Sequence, residues 1–252
     1  MSQFTKNEIY NLLSRLEENK ISPDTRVEGT HNSITLLHAV LSADLTRQET
    51  LELIKKFINL GCNVDTYADD TTPITKALSN DHIESASYML NFHTFGHPSD
   101  LDILKILSST YNKQIFTEFL RSGKIDTNVT KYKGSHILHY LTDTERFAPL
   151  IEILLAVAPK TQPNPINRQG DSPLTKALNT NALNCVKALT KNPNSKIIGF
   201  LVNPLAVIDT ETVDRYVGDF WKKFEKAGIL EYSIKNNKEH LIPEVIRDVF
   251  LF

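Results

Sequence analysis

The chain has 252 residues, enough for a sizeable core, and its 40% hydrophobic and 23% charged residues are those of an ordinary folded protein, which excludes a disordered chain. With 28 Lys and Arg against 30 Asp and Glu the formal charge is −2, so there is no overall attraction to a phosphate backbone and a nucleic-acid partner is not expected. Two cysteines, Cys62 and Cys185, supply neither a disulfide framework nor a four-thiolate zinc site, so a reducing, cytoplasmic setting is expected; in a sequence lacking long apolar runs, neither a signal peptide nor a membrane span is expected.

The segment FTKNEI (4–9) carries a complete helix start: Thr5 as N-cap, Glu8 three residues later to close a capping box, and Phe4 placed to staple against Ile9. Ile9, Leu12, Leu13 and Leu16 then form one apolar stripe that must pack on a later segment. Next come NSITLLHAVL (32–41), ETLELIKKFINLGCNVD (49–65) and DDTTPITKALSNDHIESASYML (69–90), each short and amphipathic. Pro73 directly after Thr72 suits a first helical position, where its missing N–H costs nothing. Gly61 stands where a left-handed C-cap residue belongs. The chain reads as helix pairs.

TPITKAL at 72–78 returns as SPLTKAL at 172–178, 100 residues later, which is close to three units of about 33 residues. On these residues the chain resembles the ankyrin repeat. Thr72, Pro73, Ile74 and Ala77 fall on the family's Gly-x-Thr-Pro-Leu-His-x-Ala block, Asp81-His82 on its Gly-His turn, and Met89-Leu90 on its Val-x-x-Leu-Leu block. Other copies are partial. TLLH (35–38) with LGCNVD (60–65) reads as the start and end of an earlier repeat; GSHILHYL (134–141) with IEILLAVA, and GDSPLTKAL (170–178) with NCVKAL (184–189), read as later ones. Between them DILKIL keeps only the spacing, while FLRSGKID (119–126) keeps the terminal Gly.

The resemblance implies an all-α solenoid of about five helix-turn-helix repeats over 30–195, with an N-terminal capping helix in 1–29. Residues 196–252 carry no repeat signature. Within them Val213, Tyr216, Val217, Phe220, Trp221 and Phe224 recur at helical spacing, so a C-terminal helical cap or a small effector module is expected.

The chemistry-bearing residues point away from catalysis. His38 and His139 sit in the Thr-Pro-Leu-His slot and His82 on the Gly-His turn, where the resemblance implies structural hydrogen bonds. His93, His97 and Asp100 have the spacing of a metal site, but Gly96 and Pro98 put them in a loop, and no metal or cofactor is expected. Neither cysteine has a neighbour that would lower its pKa, and no Gly-rich phosphate loop or Ser-centred elbow occurs.

What the family implies instead is binding of a protein partner through the turn fingers and first helices lining a concave face. Mapped here, those positions are Ala68, Asp69, Thr71, Lys76, Ser79 and Asn80 in the second repeat. The fourth contributes Tyr132, Lys133, Ser135 and Tyr140, and the fifth Arg168, Gln169, Asp171 and Lys176. Tyr132, Tyr140 and Arg168 are the residue types that dominate interfaces. The Asn-, Lys- and Ile-rich composition is similar to that of secreted ankyrin effectors of intracellular bacteria such as Legionella, which implies a host protein as partner in the host cytosol. The alternative setting is that of an endogenous cytosolic scaffold, eukaryotic or bacterial, and the alternative function is a scaffold that recruits a target to a catalytic or effector activity in the C-terminal helices.

Overall fold

The computed structural model describes residues 4–29, 32–130, 134, 136–180, 182–192 and 194–195. Among them the elements are almost wholly helical. The chain divides into two compact units with the boundary between Val129 and Thr130, inside the expected repeat region rather than at its ends. The expected cap or module at 196–252 lies outside the described residues.

In the first unit, α1 (Lys6–Glu17) starts at the capping box read from the sequence: the Glu8 backbone N–H donates to Thr5 Oγ1 and the Thr5 N–H to the Glu8 carboxylate at 2.7 Å. Ile9, Leu13 and Leu16 are buried. The Phe4 backbone bridges Ala43, and its carbonyl accepts from the Asp44 N–H. The helix packs on α2 (Leu36–Leu41), all of whose residues are buried. The strands β1 (Arg26–Glu28) and β2 (Ser33–Thr35) pair antiparallel and lead into α2, Val27 opposite Ile34.

Helix α3 (Arg47–Asn59) begins two residues before the segment read from sequence, because Thr46 caps it and closes a second capping box with Glu49. Lys6 pairs with that Glu49. The next pair is α4 (Pro73–Ser79) and α5 (Ile83–Leu90), and the third is α6 (Asp100–Thr110) and α7 (Lys113–Arg121). First helices pack side by side, α2 on α4 and α4 on α6, and α3 packs on α5. Each hairpin thus hides an apolar flank of its neighbour, with Leu37, Ile54, Phe57, Ile74, Met89, Ile103 and Phe116 at the centre.

The second unit repeats the arrangement. Helix α8 (Ile137–Leu141) pairs with α9 (Ala148–Val157), entered through a 3₁₀ turn at Glu145–Phe147, and α10 (Pro173–Asn179) pairs with α11 (Leu183–Thr190). Helix α8 packs on α10 and α9 on α11. Pro73 and Pro173 hold the same place in their own units: each is buried at the first turn, behind a hydroxyl cap (Thr72, Ser172) that accepts from the backbone N–H of Thr75 or Thr175.

The connections between hairpins differ. Residues 60–72 close with a tight hairpin turn bridged between Ala68 and Thr71, and 158–172 with a wider turn in which the Asn167 N–H donates to the Asp171 carbonyl at 3.1 Å. Residues 91–99 run straight from α5 into α6 through turns, with no bridge. The third repeat, whose DILKIL segment keeps only the spacing, therefore has no such finger.

Candidate functional site

The second finger of the first unit is built around Asp69 and Asp70. The Ala68 N–H donates to the Thr71 carbonyl at 2.9 Å and the Thr71 N–H returns to Ala68 O at 3.0 Å, while Asp69 and Asp70 take φ of 51° and 57°. Two consecutive left-handed residues make the turn type whose twist matches a hairpin. A buried histidine fixes the base of this finger. His38 Nε2–H donates to Thr71 O at 3.2 Å, and its Nδ1 accepts from Thr35 Oγ1 at 2.7 Å. The ring is neutral, since burial pushes its pKa down to about 4 against the pull of the Thr71 carbonyl.

His139 plays the same part in the second unit, donating from Nε2 to Asp171 O at 3.0 Å, and burial lowers its pKa as well. Its Nδ1, however, is buried without a hydrogen-bond partner, because His136 stands where Thr35 stands in the first unit. The His136 ring caps the Leu138 N–H at 3.1 Å and meets His139 edge-on. Replacing His136 with Thr is expected to supply the missing hydroxyl and raise the unfolding free energy of the second unit by about 1 kcal/mol. Urea unfolding checks this, and an unchanged or lowered midpoint would contradict the assigned role.

The finger above Asp171 is organised by Asn167, whose Oδ1 accepts from the N–H groups of Gln169 and Asp171 at 2.9 Å each. Arg168 and Gln169 project from its tip, both exposed.

The expected partner-facing positions divide accordingly. Asp69, Ser79, Arg168 and Gln169 are exposed, and Lys76 and Tyr140 are half-buried, the Tyr140 ring stacked on Phe147 at 5.7 Å. Tyr132, Lys133 and Ser135 lie outside the described residues. Five of these positions also serve the fold itself. Ala68 is buried at 5% exposure and offers a partner no side-chain surface. Asn80 spends its amide on Leu41 O at 2.8 Å, closing the end of α2. Lys176 donates to His139 O at 2.8 Å and pairs with Asp143 at 2.5 Å, so it knits α10 to α8. Thr71 and Asp171 are half-buried and serve the fingers through their carbonyls, as just described.

The histidine loop holds no metal-like arrangement; among the described residues no group of three or more His, Cys, Asp or Glu side chains is set to hold an ion. His93 instead lies fully buried between Asp65 and Asp100, with Nδ1 bonded to the first and Nε2 to the second. Both acceptors are carboxylates, so both ring nitrogens donate and the ring is a cation. Burial alone would lower its pKa, but the hydrogen bonds to Asp100 and then Asp65 outweigh that and hold it up at about 9. Asp100 Oδ2 also accepts from the Gly96 N–H at 3.1 Å and the Asp126 N–H at 2.7 Å, and Asp65 Oδ2 from the Thr94 N–H at 2.9 Å. These bonds fasten 91–99 to the segments before and after it.

His97 points elsewhere, its ring stacked on Tyr67 at 5.5 Å and its Nδ1 facing Ser99. The sequence reading missed Asp65 as the partner of His93, and it missed the exposed rings Tyr67, Phe92 and Phe95. The available signal for the latter was two phenylalanines in an otherwise polar Gly/Pro loop. Both thiols are buried, and burial pushes Cys62 up to about 12 and Cys185 to about 11, far from the thiolate a nucleophile needs. Among the described residues no helix is long and apolar enough to cross a membrane.

No protein-family model matches the chain, and no curated protein does. Among solved structures it is similar to an ankyrin repeat domain from Acinetobacter baumannii AYE, with a TM-score of 0.54 and 16% identity over 73% of this chain and 93% of that one. It is also similar to the ankyrin repeat domain of Bcl-3, a member of the IκB protein family, with a TM-score of 0.56 and 17% identity over 74% of this chain and 80% of the other.

Proposed function

Starting from a chain that has the ankyrin-repeat fold, we propose that it is a non-enzymatic module that binds a protein partner through its finger turns and first helices. One observation carries this reading. In each unit a buried histidine ties the finger base to the preceding first helix, through Thr71 O or Asp171 O, while Asp69, Arg168 and Gln169 stay exposed at the tips. A finger on a fixed base has little backbone freedom left to lose on docking, so the exposed side chains it carries suit recognition. The same burial and hydrogen bonding take His38, His93 and His139 out of consideration as general bases, and the raised thiols remove Cys62 and Cys185 as nucleophiles.

The test places a photo-crosslinking residue at Ser79 or Gln169, and for comparison at Lys56 on α3 or Glu152 on α9. Adducts to a discrete protein from the first pair, and far fewer from the second, are expected. Adducts confined to Lys56 and Glu152, or none anywhere, would overturn the reading. The finer proposal is that the partner is a host protein met in the cytosol by a bacterial effector. It rests on composition, and adducts formed in bacterial lysate but absent from eukaryotic lysate would end it.

A further inference from the structure

The largest exposed hydrophobic side chains of the described residues are Tyr10, Tyr67, Phe92, Phe95, Tyr111 and Ile166. Three of them lie on two connecting segments of the first unit: Tyr67 is 37% exposed, Phe92, whose ring also packs on Tyr88 at 5.4 Å, 49% and Phe95 60%. The segments adjoin. The Thr94 N–H reaches Asp65, and the His97 ring lies against Tyr67 at 5.5 Å with 24° between planes. Nor is this a slack loop that happens to carry phenylalanines. The buried His93 cation, gripped by Asp65 and Asp100, and the Gly96 N–H bonded to Asp100 set its course, so the rings are displayed in place before any partner arrives. Exposed apolar rings held ready in this way mark an interaction surface.

Charge selects the occupant. Residues 60–72 and 91–100 together contain four aspartates and no Lys or Arg. Asp65 and Asp100 are committed to His93, but Asp69 and Asp70 are exposed at the finger tip beside Tyr67. On the neighbouring β1–β2 hairpin Arg26 donates to the Tyr67 and Ser33 carbonyls, Asn32 approaches Asp69 only at 3.5 Å, and on the other side Lys55 is engaged over the Tyr88 ring at 5.8 Å. An arginine or lysine from outside would lay its apolar stem and cationic head on an aromatic face and direct its N–H donors to Asp69 or Asp70.

We propose that the 91–99 loop and the second finger of the first unit form a docking surface for a Lys- or Arg-bearing segment of another protein. This deepens the protein-binding reading above and rests on it. A phage-displayed library of random peptides panned on the full chain tests it, with enriched peptides synthesised and titrated by fluorescence anisotropy at low and high salt. Enriched peptides are expected to carry Lys or Arg together with an apolar residue, and to bind more weakly as salt rises.

Affinity is expected to fall about tenfold or more for the Phe92→Ala/Phe95→Ala protein and for Asp69→Asn/Asp70→Asn, in which Asn keeps the left-handed turn accessible. Both pairs are surface side chains, and unchanged unfolding midpoints confirm that the variants are folded. Enrichment of acidic or uncharged peptides, no enrichment at all, or binding indifferent to both variants would overturn the proposal. Peptides lost instead on Tyr140→Ala/Arg168→Glu would overturn it while leaving the wider protein-binding reading standing. That wider reading fails on its own terms, by the crosslinking at Ser79 and Gln169.

Discussion

Replacing His93 with leucine is expected to lower the unfolding free energy of the first unit by about 3–5 kcal/mol, a large part of the ~5–15 kcal/mol a domain ordinarily has. The cost comes from what remains. Asp100 is completely buried and Asp65 keeps only a tenth of its side-chain surface exposed, and without the imidazolium two carboxylates are left facing the place the ring held. The Asp65→Asn change is expected to cost less, because Asp65 keeps 10% of its side-chain surface in water and Asp100 still pairs with the ring.

The sign of the pH dependence follows from the direction of the shift. The His93 pKa is about 9 in the fold against about 6.5 in an unfolded chain, so its contribution is complete below about 6.5 and disappears as pH rises through about 9. The Asp65 pKa is held below the usual carboxylate value by hydrogen bonds from His93 and Thr94, which overcome the opposing effect of burial; its contribution is present above the unfolded value and is lost in acid. Urea unfolding of wild type and His93→Leu from about pH 6 to about pH 10 checks the statement for His93, and extending the wild-type series down to about pH 2 checks the one for Asp65. The gap between the two proteins should narrow at the alkaline end. A gap under about 1 kcal/mol, or one that does not change with pH, would show that the buried cation does not secure the loop.

The second large effect is expected in the other unit. Gly134 has φ of 68°, and a β-carbon there would stand 2.8 Å from the Ile166 carbonyl oxygen, a backbone atom that cannot swing aside. Gly134→Ala therefore combines left-handed strain of about 1–2 kcal/mol with an overpacking cost of about 1–3 kcal/mol, for a loss of roughly 2–5 kcal/mol. Gly170 is the internal control. Its φ is 87°, but a β-carbon there would meet nothing within 4 Å, so Gly170→Ala should show the strain alone, about 1–2 kcal/mol. If the two substitutions cost the same, the close approach of the Ile166 carbonyl has no energetic consequence.

The hairpins were readable because local signals agreed with one another. Thr5 with Glu8, Thr72 before Pro73 and Ser172 before Pro173 each fix a helix start by geometry contained within four residues. Equally readable was the slot of His38 and His139, which recurs at a fixed offset from the cap. What could not be read were pairings between distant residues. Asp65 and His93 are 28 positions apart, and nothing local marks them as partners. Asn80 and Lys176 looked like surface residues by repeat position, yet their amide and ammonium groups reach carbonyls of the preceding first helix. A periodic pattern tells which residues face outward from their own helix, not which of those are long enough to bridge to the next.

The straight passage through 91–99 has a consequence for any ligand laid across the first unit. Neighbouring helices stand about 8–10 Å apart, so a row of projecting turns would normally offer evenly pitched rungs to an extended chain. Here the rung after Asp69 and Asp70 is replaced by a low sill bearing aromatic rings. A bound strand crossing it would leave the polar foothold of the turn and come to rest on an oily one.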